Sequence, residues 1–306
     1  MNILFRVDSS ATIGTGHIMR CLALAKEFEK NSVIFATQDL QGNINYKIKE
    51  AGYEIKLLKT NSFGELHKLI KQLSINLIII DSYNISYKFE QRLKKRNPQR
   101  VLMVLDDLYK QHHCDILLNH NIYAKKSRYK GLVPKNCDIK CGAKYTLLRE
   151  EFKKAKNLVV DRSQTSIFVA MGGNDHSNLT QKILQSIQEL KKNILINVVT
   201  TKANQRLVSL KEYCEDKENI RLHIDSKEIA FLIKQSSLAI ITPSVIANEV
   251  YYLDVDMIAI QTAKNQKLMY RFLKQNGYFT MRKFDKKELK KGINKILGVT
   301  NGNYKV

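Results

Sequence analysis

No apolar run in this sequence approaches the length of a membrane span, so membrane insertion is not expected. Acidic residues are scarce: 29 Asp and Glu stand against 51 Lys and Arg, for a formal charge of +22. The five cysteines, Cys21, Cys114, Cys137, Cys141 and Cys214, are odd in number, scattered and without paired metal spacing. Cys137-x-x-x-Cys141 stands alone, and no second cluster completes a site with His112-His113-Cys114, so no metal is expected. An aromatic-studded RNA motif, a zinc finger and a basic heptad are all missing. The positive charge suits an anionic partner. Yet it is spread over short runs such as Lys94-Lys95-Arg96, Lys125-Lys126 and Lys286-Lys287, which read as solvated surface. A nucleic-acid or membrane-surface module therefore ranks last among the readings. There is no short internal repeat and no low-complexity segment. The dinucleotide fingerprint G-x-G-x-x-G also fails, because Met19 stands where its last glycine belongs. The chain enters a strand at once, with Arg6 and Asp8 close behind. That is not a signal-peptide pattern, and a cytoplasmic location is expected.

What is present is a chain of 306 residues with 44% hydrophobic and 26% charged residues, suited to two soluble domains. Strand-like and helical segments alternate. Ile3 to Val7, Val33 to Ala36, Ile55 to Leu58, Asn76 to Asp81, Val101 to Asp106 and Asp115 to Asn119 read as strands, several with the continuous apolar centre of a parallel strand buried on both faces. Leu66 to Leu73 and Ser86 to Arg96 read as helices. Residues 122–162 lack a strong period, Leu147 to Leu158 reads as a charged helix, and the domain boundary is placed at 155/156. A second alternating set follows, from Ser166 to Met171 through Met257 to Gln261. It includes a helix over Leu179 to Lys191 and closes with an amphipathic segment at Lys286 to Leu297. Residues 298–306 form a polar tail with no recognisable motif. The expected fold is α/β, with two Rossmann-like, doubly wound domains facing a cleft.

The strand–loop–helix junction from Asp8 to Arg20 carries the sharpest chemistry. Gly14 and Gly16 offer positive φ and room for a ligand to approach the backbone. The following helix start offers free N–H groups. His17 opens that helix, where positive potential favours a neutral imidazole able to take a proton from water. It equally suits a helix-capping or packing role. Asp8, Asp81 and Asp106 end three strands, beyond which open α/β sheets bind ligands; each also suits a turn or helix cap. In the second half, Gly172-Gly173-Asn174-Asp175 lies between a strand and a helix, where glycines let amides approach a diphosphate. Ser244 sits at a helix N-cap position able to hold phosphate oxygens. Asn248-Glu249 follows on the same helix, and the Glu249 carboxylate suits the two hydroxyls of a ribose.

Several stretches together resemble a known family. They are Phe5-Arg6-Val7-Asp8-Ser9-Ser10 with Ile13-Gly14-Thr15-Gly16-His17-Ile18-Met19-Arg20, His112 to Asn119, Gly131-Leu132-Val133-Pro134, Cys141-Gly142, Leu148-Arg149-Glu150-Glu151-Phe152, Met171 to Asp175, and Asn248-Glu249. They occur in the expected order over nearly the whole chain. The chain resembles the hydrolases that cleave UDP-2,4-diacetamido-2,4,6-trideoxy-β-L-altropyranose in pseudaminic acid biosynthesis, a family similar to glycosyltransferases of the B fold. The resemblance implies a UDP-sugar substrate, water as acceptor, inversion at the anomeric carbon, no metal and no cofactor. It assigns His17 as the base. It implies UDP in the second domain against Gly172, Gly173, Asn174, Ser244 and Asn248, with ribose at Glu249 and uracil against backbone near Ile224. Asp8, Gly14, Gly16, Asp81 and Tyr83 form the expected sugar-contacting set. A monomer is expected. The alternative is a glycosyltransferase of the same fold, whose acceptor is a hydroxyl instead of water.

Overall fold

Apolar strands with no polar face can be buried only inside a sheet covered on both sides, and the chain builds two such sheets. The computed structural model describes residues 1–190 and 192–298, so the helix end expected at Lys191 and the tail beyond Gly298 lie outside the described residues. The chain divides into two compact units, Met1–Leu148 and Arg149–Val306.

In the first unit the elements are β1 (Asn2–Val7), α1 (Gly16–Ala25), β2 (Ser32–Gln38), α2 (Asn45–Glu50), β3 (Glu54–Leu58), α3 (Phe63–Gln72), β4 (Leu77–Asp81), α4 (Tyr87–Arg96), β5 (Val101–Leu105), β6 (Ile116–Asn119) and β7 (Asp138–Cys141). Their order in one parallel sheet is β3-β2-β1-β4-β5-β6-β7. Side chains alternate between its two faces. Ile3, Phe5, Val33, Phe35, Leu77 and Ile79 pack toward α1, while Leu4, Ile34, Ile78, Ile80, Leu102 and Val104 pack with Leu66, Ile70 and Leu93 of α3 and α4. Ser62 and Ser86 cap α3 and α4 through their hydroxyls, which fixes where those helices begin.

The second unit comprises α5 (Glu150–Lys156), β8 (Ser166–Ala170), α6 (Thr180–Gln188), β9 (Leu195–Thr200), α7 (Leu207–Glu215), β10 (Ile220–Ile224), α8 (Ile229–Gln235), β11 (Leu238–Ile241), α9 (Val245–Tyr252), β12 (Met257–Ile260), α10 (Lys267–Gln275), β13 (Phe279–Met281) and α11 (Lys286–Gly298). Its parallel sheet runs β10-β9-β8-β11-β12-β13. The expected boundary at 155/156 cuts through α5. The division falls instead between Leu148 and Arg149, because α5 packs on α8 and α9.

In both sheets the strand order reverses at one place, between β1 and β4 and between β8 and β11. Ligands of open α/β sheets bind beyond the carboxyl ends of strands at such a reversal. The loops after β1 and β4, and after β8 and β11, are the segments the candidate motifs occupy.

A buried polar network ties α4 to β5 and β6. Glu90 of α4 accepts from His112 Nδ1 at 2.8 Å and from the His113 amide at 2.7 Å. The second ring nitrogen of His112 faces Asp106 at 3.5 Å, and Asp106 in turn accepts from the Leu108 and Tyr109 amides and the Tyr129 hydroxyl. Burial opposes charge on His112, but Asp106 and Glu90 outweigh it and raise its pKa to about 9. A raised folded-state pKa means stability that is complete below the unfolded value of about 6.5 and lost as pH rises through 9. Urea unfolding should therefore show the protein weakening between pH 6 and pH 9.5 by up to roughly 3 kcal/mol more than H112Q does. Parallel pH profiles for the two proteins would contradict this account.

Candidate active site

Asp81, the last residue of β4, is 1% exposed, and a carboxylate there must be paired. Arg20 of α1 donates Nε to Oδ2 at 2.6 Å and Nη2 to Oδ1 at 2.5 Å. Burial raises a carboxyl pKa, but Arg20 and His17 outweigh it and hold Asp81 well below the ordinary carboxylate range. Arg20 also reaches Asp107 through Nη1 at 2.8 Å, and the Tyr83 hydroxyl donates to the same Asp107 at 2.8 Å.

His17 lies one turn before Arg20 on α1, and positions three apart share a helix face. Its Nδ1 is 2.7 Å from Asp81 Oδ1. An ionised carboxylate can only accept, so this contact is a hydrogen bond when Nδ1 carries the proton, the tautomer that leaves a lone pair at Nε2. Arg20 Nη2 lies 2.9 Å from the same Nδ1, and since a guanidinium can only donate, that approach in this tautomer is a contact between two N–H groups and not a second hydrogen bond. Among the described residues Nε2 has no hydrogen-bond partner, and His17 as a whole is 6% exposed. The Tyr83 ring meets the imidazole edge-on, with centroids 4.7 Å apart and planes at 87°. An imidazole oriented by a carboxylate, with its second nitrogen unengaged, can act as a general base.

Three other expected site residues, Asp8, Gly14 and Gly16, lie in the same junction. Asp8 is buried in a two-bond pair with Arg6, at 2.7 and 2.6 Å, and accepts the Gln38 amide at 2.7 Å. Asp81 bonds His17; Asp8 does not. Gly14 has φ +86° and closes the loop through a bond from its amide to Ser10, as expected of a glycine turn. Gly16 has no positive φ; it is the first residue of α1. Thr15, at the N-cap of α1, makes no side-chain cap bond.

Sequence reasoning missed Arg20, Asp107 and His120. The spacing of His17 and Arg20 on one helix was the available signal for the first. His120, just past β6, is 2% exposed; burial, and then Arg20, drive its pKa down to about 3, so it stays neutral. Neither of its ring nitrogens has a hydrogen-bond partner among the described residues.

In the second unit the Gly172-to-Asp175 loop leaves β8 with Gly172 at φ +86°. The Gly173 carbonyl accepts from the Thr201 hydroxyl at 3.0 Å, and a Cβ at Gly173 would lie 2.9 Å from Thr201 Cγ2. Asp175 accepts from the Leu179 and Thr180 amides at 3.0 and 3.1 Å, so a carboxylate of the chain itself already lies at the start of α6. Ser244 differs. It occupies the N-cap of α9 without a side-chain cap bond, its hydroxyl pairing with Thr242 at 3.0 Å. The start of α9 is thus open to an anion. Asn248 and Glu249 are buried on α9. Glu249 Oε1 lies 3.3 Å from Arg149 Nη2, and Ile224 ends β10 at the sheet edge.

No family model matches the chain. The UDP-2,4-diacetamido-2,4,6-trideoxy-β-L-altropyranose hydrolase of Campylobacter jejuni is 41% identical over 279 residues, covering 91% of this chain and 98% of the relative. This chain belongs to that hydrolase family. Among solved structures, a spinosyn rhamnosyltransferase complexed with thymidine diphosphate superposes with a TM-score of 0.68 at 11% identity, over 98% of this chain and 92% of that one. Acinetobacter baumannii MurG gives a TM-score of 0.60 at 11% identity, over 97% and 90%. Likeness at that identity shows the fold alone, two parallel-sheet α/β units of the glycosyltransferase-B kind.

The Gly173–Thr201 contact gives a direct check on the loop of this family member. G173A should cost about 1–3 kcal/mol of stability through overpacking, and adding T201A should recover most of it. Additive losses in the double variant, measured by denaturant unfolding, would show that the two residues do not press on each other.

Proposed function

We propose that this chain hydrolyses a UDP-linked 2,4-diacetamido-2,4,6-trideoxy sugar to the free sugar and UDP. Water attacks the anomeric carbon and the configuration inverts. The observation that carries the reading is the His17–Asp81–Arg20 cluster, at the strand-order reversal of the first sheet, in a chain 41% identical to a curated hydrolase over 98% of its length. His17 Nε2 takes the proton of the attacking water while Asp81 holds Nδ1–H and stabilises the imidazolium that forms. Arg20 keeps Asp81 ionised, so the proton stays on the ring. Gly14, Gly16 and Tyr83 flank the base and contact the sugar. UDP is a good leaving group, and its charge grows on oxygens held at the open start of α9, by Ser244 with Asn248, and by the backbone of Gly172, Gly173 and Asn174. Glu249 accepts from the ribose, and the uracil lies against backbone near Ile224. The enzyme works in the cytoplasm, as a monomer.

The test is NMR of the protein with the UDP-sugar and no acceptor, following UDP release and the configuration of the first-formed sugar. Inverted sugar and free UDP are expected. H17A should lower kcat by roughly 10²–10⁴-fold with UDP binding retained. Turnover that starts only when an acceptor hydroxyl is supplied would make the chain a glycosyltransferase instead. Near-normal turnover in folded H17A would remove His17 from its role.

A further inference from the structure

The ribose role of Glu249 raises a physical difficulty. Its side chain is 9% exposed in the second turn of α9, and burial favours the protonated, poorly accepting form. Burial indeed pushes the Glu249 carboxyl upward, and Arg149 pulls it back only in part. Arg149 Nη2 lies 3.3 Å from Glu249 Oε1, and among the described residues Oε2 makes no hydrogen bond. The guanidinium is itself fixed. Its Nη1 is 2.8 Å from Glu151 Oε1, and its central carbon lies 4.8 Å from the centroid of the Phe152 ring. Arg149 immediately precedes α5, the helix that packs on α8 and α9. A planar fork held by its own helix on one side and by one carboxylate oxygen on the other leaves a single oxygen of Glu249 to be aimed.

We infer that Arg149 is a positioning residue of the nucleotide site, gripping Oε1 of Glu249 so that Oε2 is presented to a ribose hydroxyl. The inference rests on Glu249 as the ribose acceptor proposed above. Arg149 need not touch the nucleotide. A salt bridge that merely fastens α5 to α9 would affect stability but not the preference for ribose hydroxyls, and this difference makes the two roles separable.

The experiment is calorimetric titration of UDP and 2′,3′-dideoxy-UDP into the protein and into E249Q, R149M and R149K, between pH 6 and pH 8.5. The unmodified protein should prefer UDP by roughly 10–100-fold, the size of a hydrogen bond to a charged group. E249Q should lose most of that preference. R149M should bind both nucleotides within about threefold at pH 6 and regain part of the preference as rising pH ionises Glu249. R149K keeps the charge but not the fork, so its preference should fall between the two. If R149M, or R149K where R149M fails to fold, keeps the full preference at every pH while E249Q loses it, Arg149 has no positioning role and Glu249 remains the ribose acceptor. If the unmodified protein binds both nucleotides equally, or E249Q keeps the full preference, Glu249 is not the acceptor and the inference falls with it.

Discussion

A carboxylate sealed at the end of a central strand cannot be left unpaired, and the first unit is arranged around meeting that need at Asp81. Two nitrogens of Arg20 close on it, which fastens α1 over the end of β4. Once Arg20 is fixed, His17 follows, because a residue one turn earlier on the same helix face has to meet the same carboxylate. The third contact of Arg20, to Asp107, binds the end of β5 into the group, and Asp107 secures Tyr83 against the imidazole. The loops after β1, β4 and β5 are thus locked by one charge network. The orientation of the imidazole is a by-product of neutralising a buried anion.

The neighbouring strand end shows the same residue type put to another use. Asp106 follows β5 directly, yet it turns toward the Leu108 and Tyr109 amides, Tyr129 and His112. Asp8, at the end of β1, is consumed by Arg6. Three strand-end acids look alike in sequence, and their partners, set by which basic group the packing brings within reach, decide which one orients the His17 imidazole.

That explains how far the sequence could be read. The long apolar strands at β1, β4, β5 and β8 and the glycine junctions announced themselves, because burial on both faces and positive φ leave local signatures. The short edge strands β7 and β13 did not, since an edge strand needs no continuous apolar run. His17 was legible from its place at a helix start. Its dependence on Arg20 and Asp81 was only half legible, because α1 displays the spacing of the first pair while the second joins residues 64 apart in the chain. Arg149 and Glu249 are 100 apart, and no local pattern links them. The division at Leu148 was displaced for a similar reason: α5 belongs by packing to helices far downstream.

The capping of α6 by Asp175 has a directional consequence. Of the two helix starts flanking the reversal between β8 and β11, one has the Asp175 carboxylate on two of its leading amides while the other has no side-chain cap bond. The two starts therefore present unequal electrostatic potentials. The carboxyl end of the second sheet thus carries a built-in electrical asymmetry between its two halves.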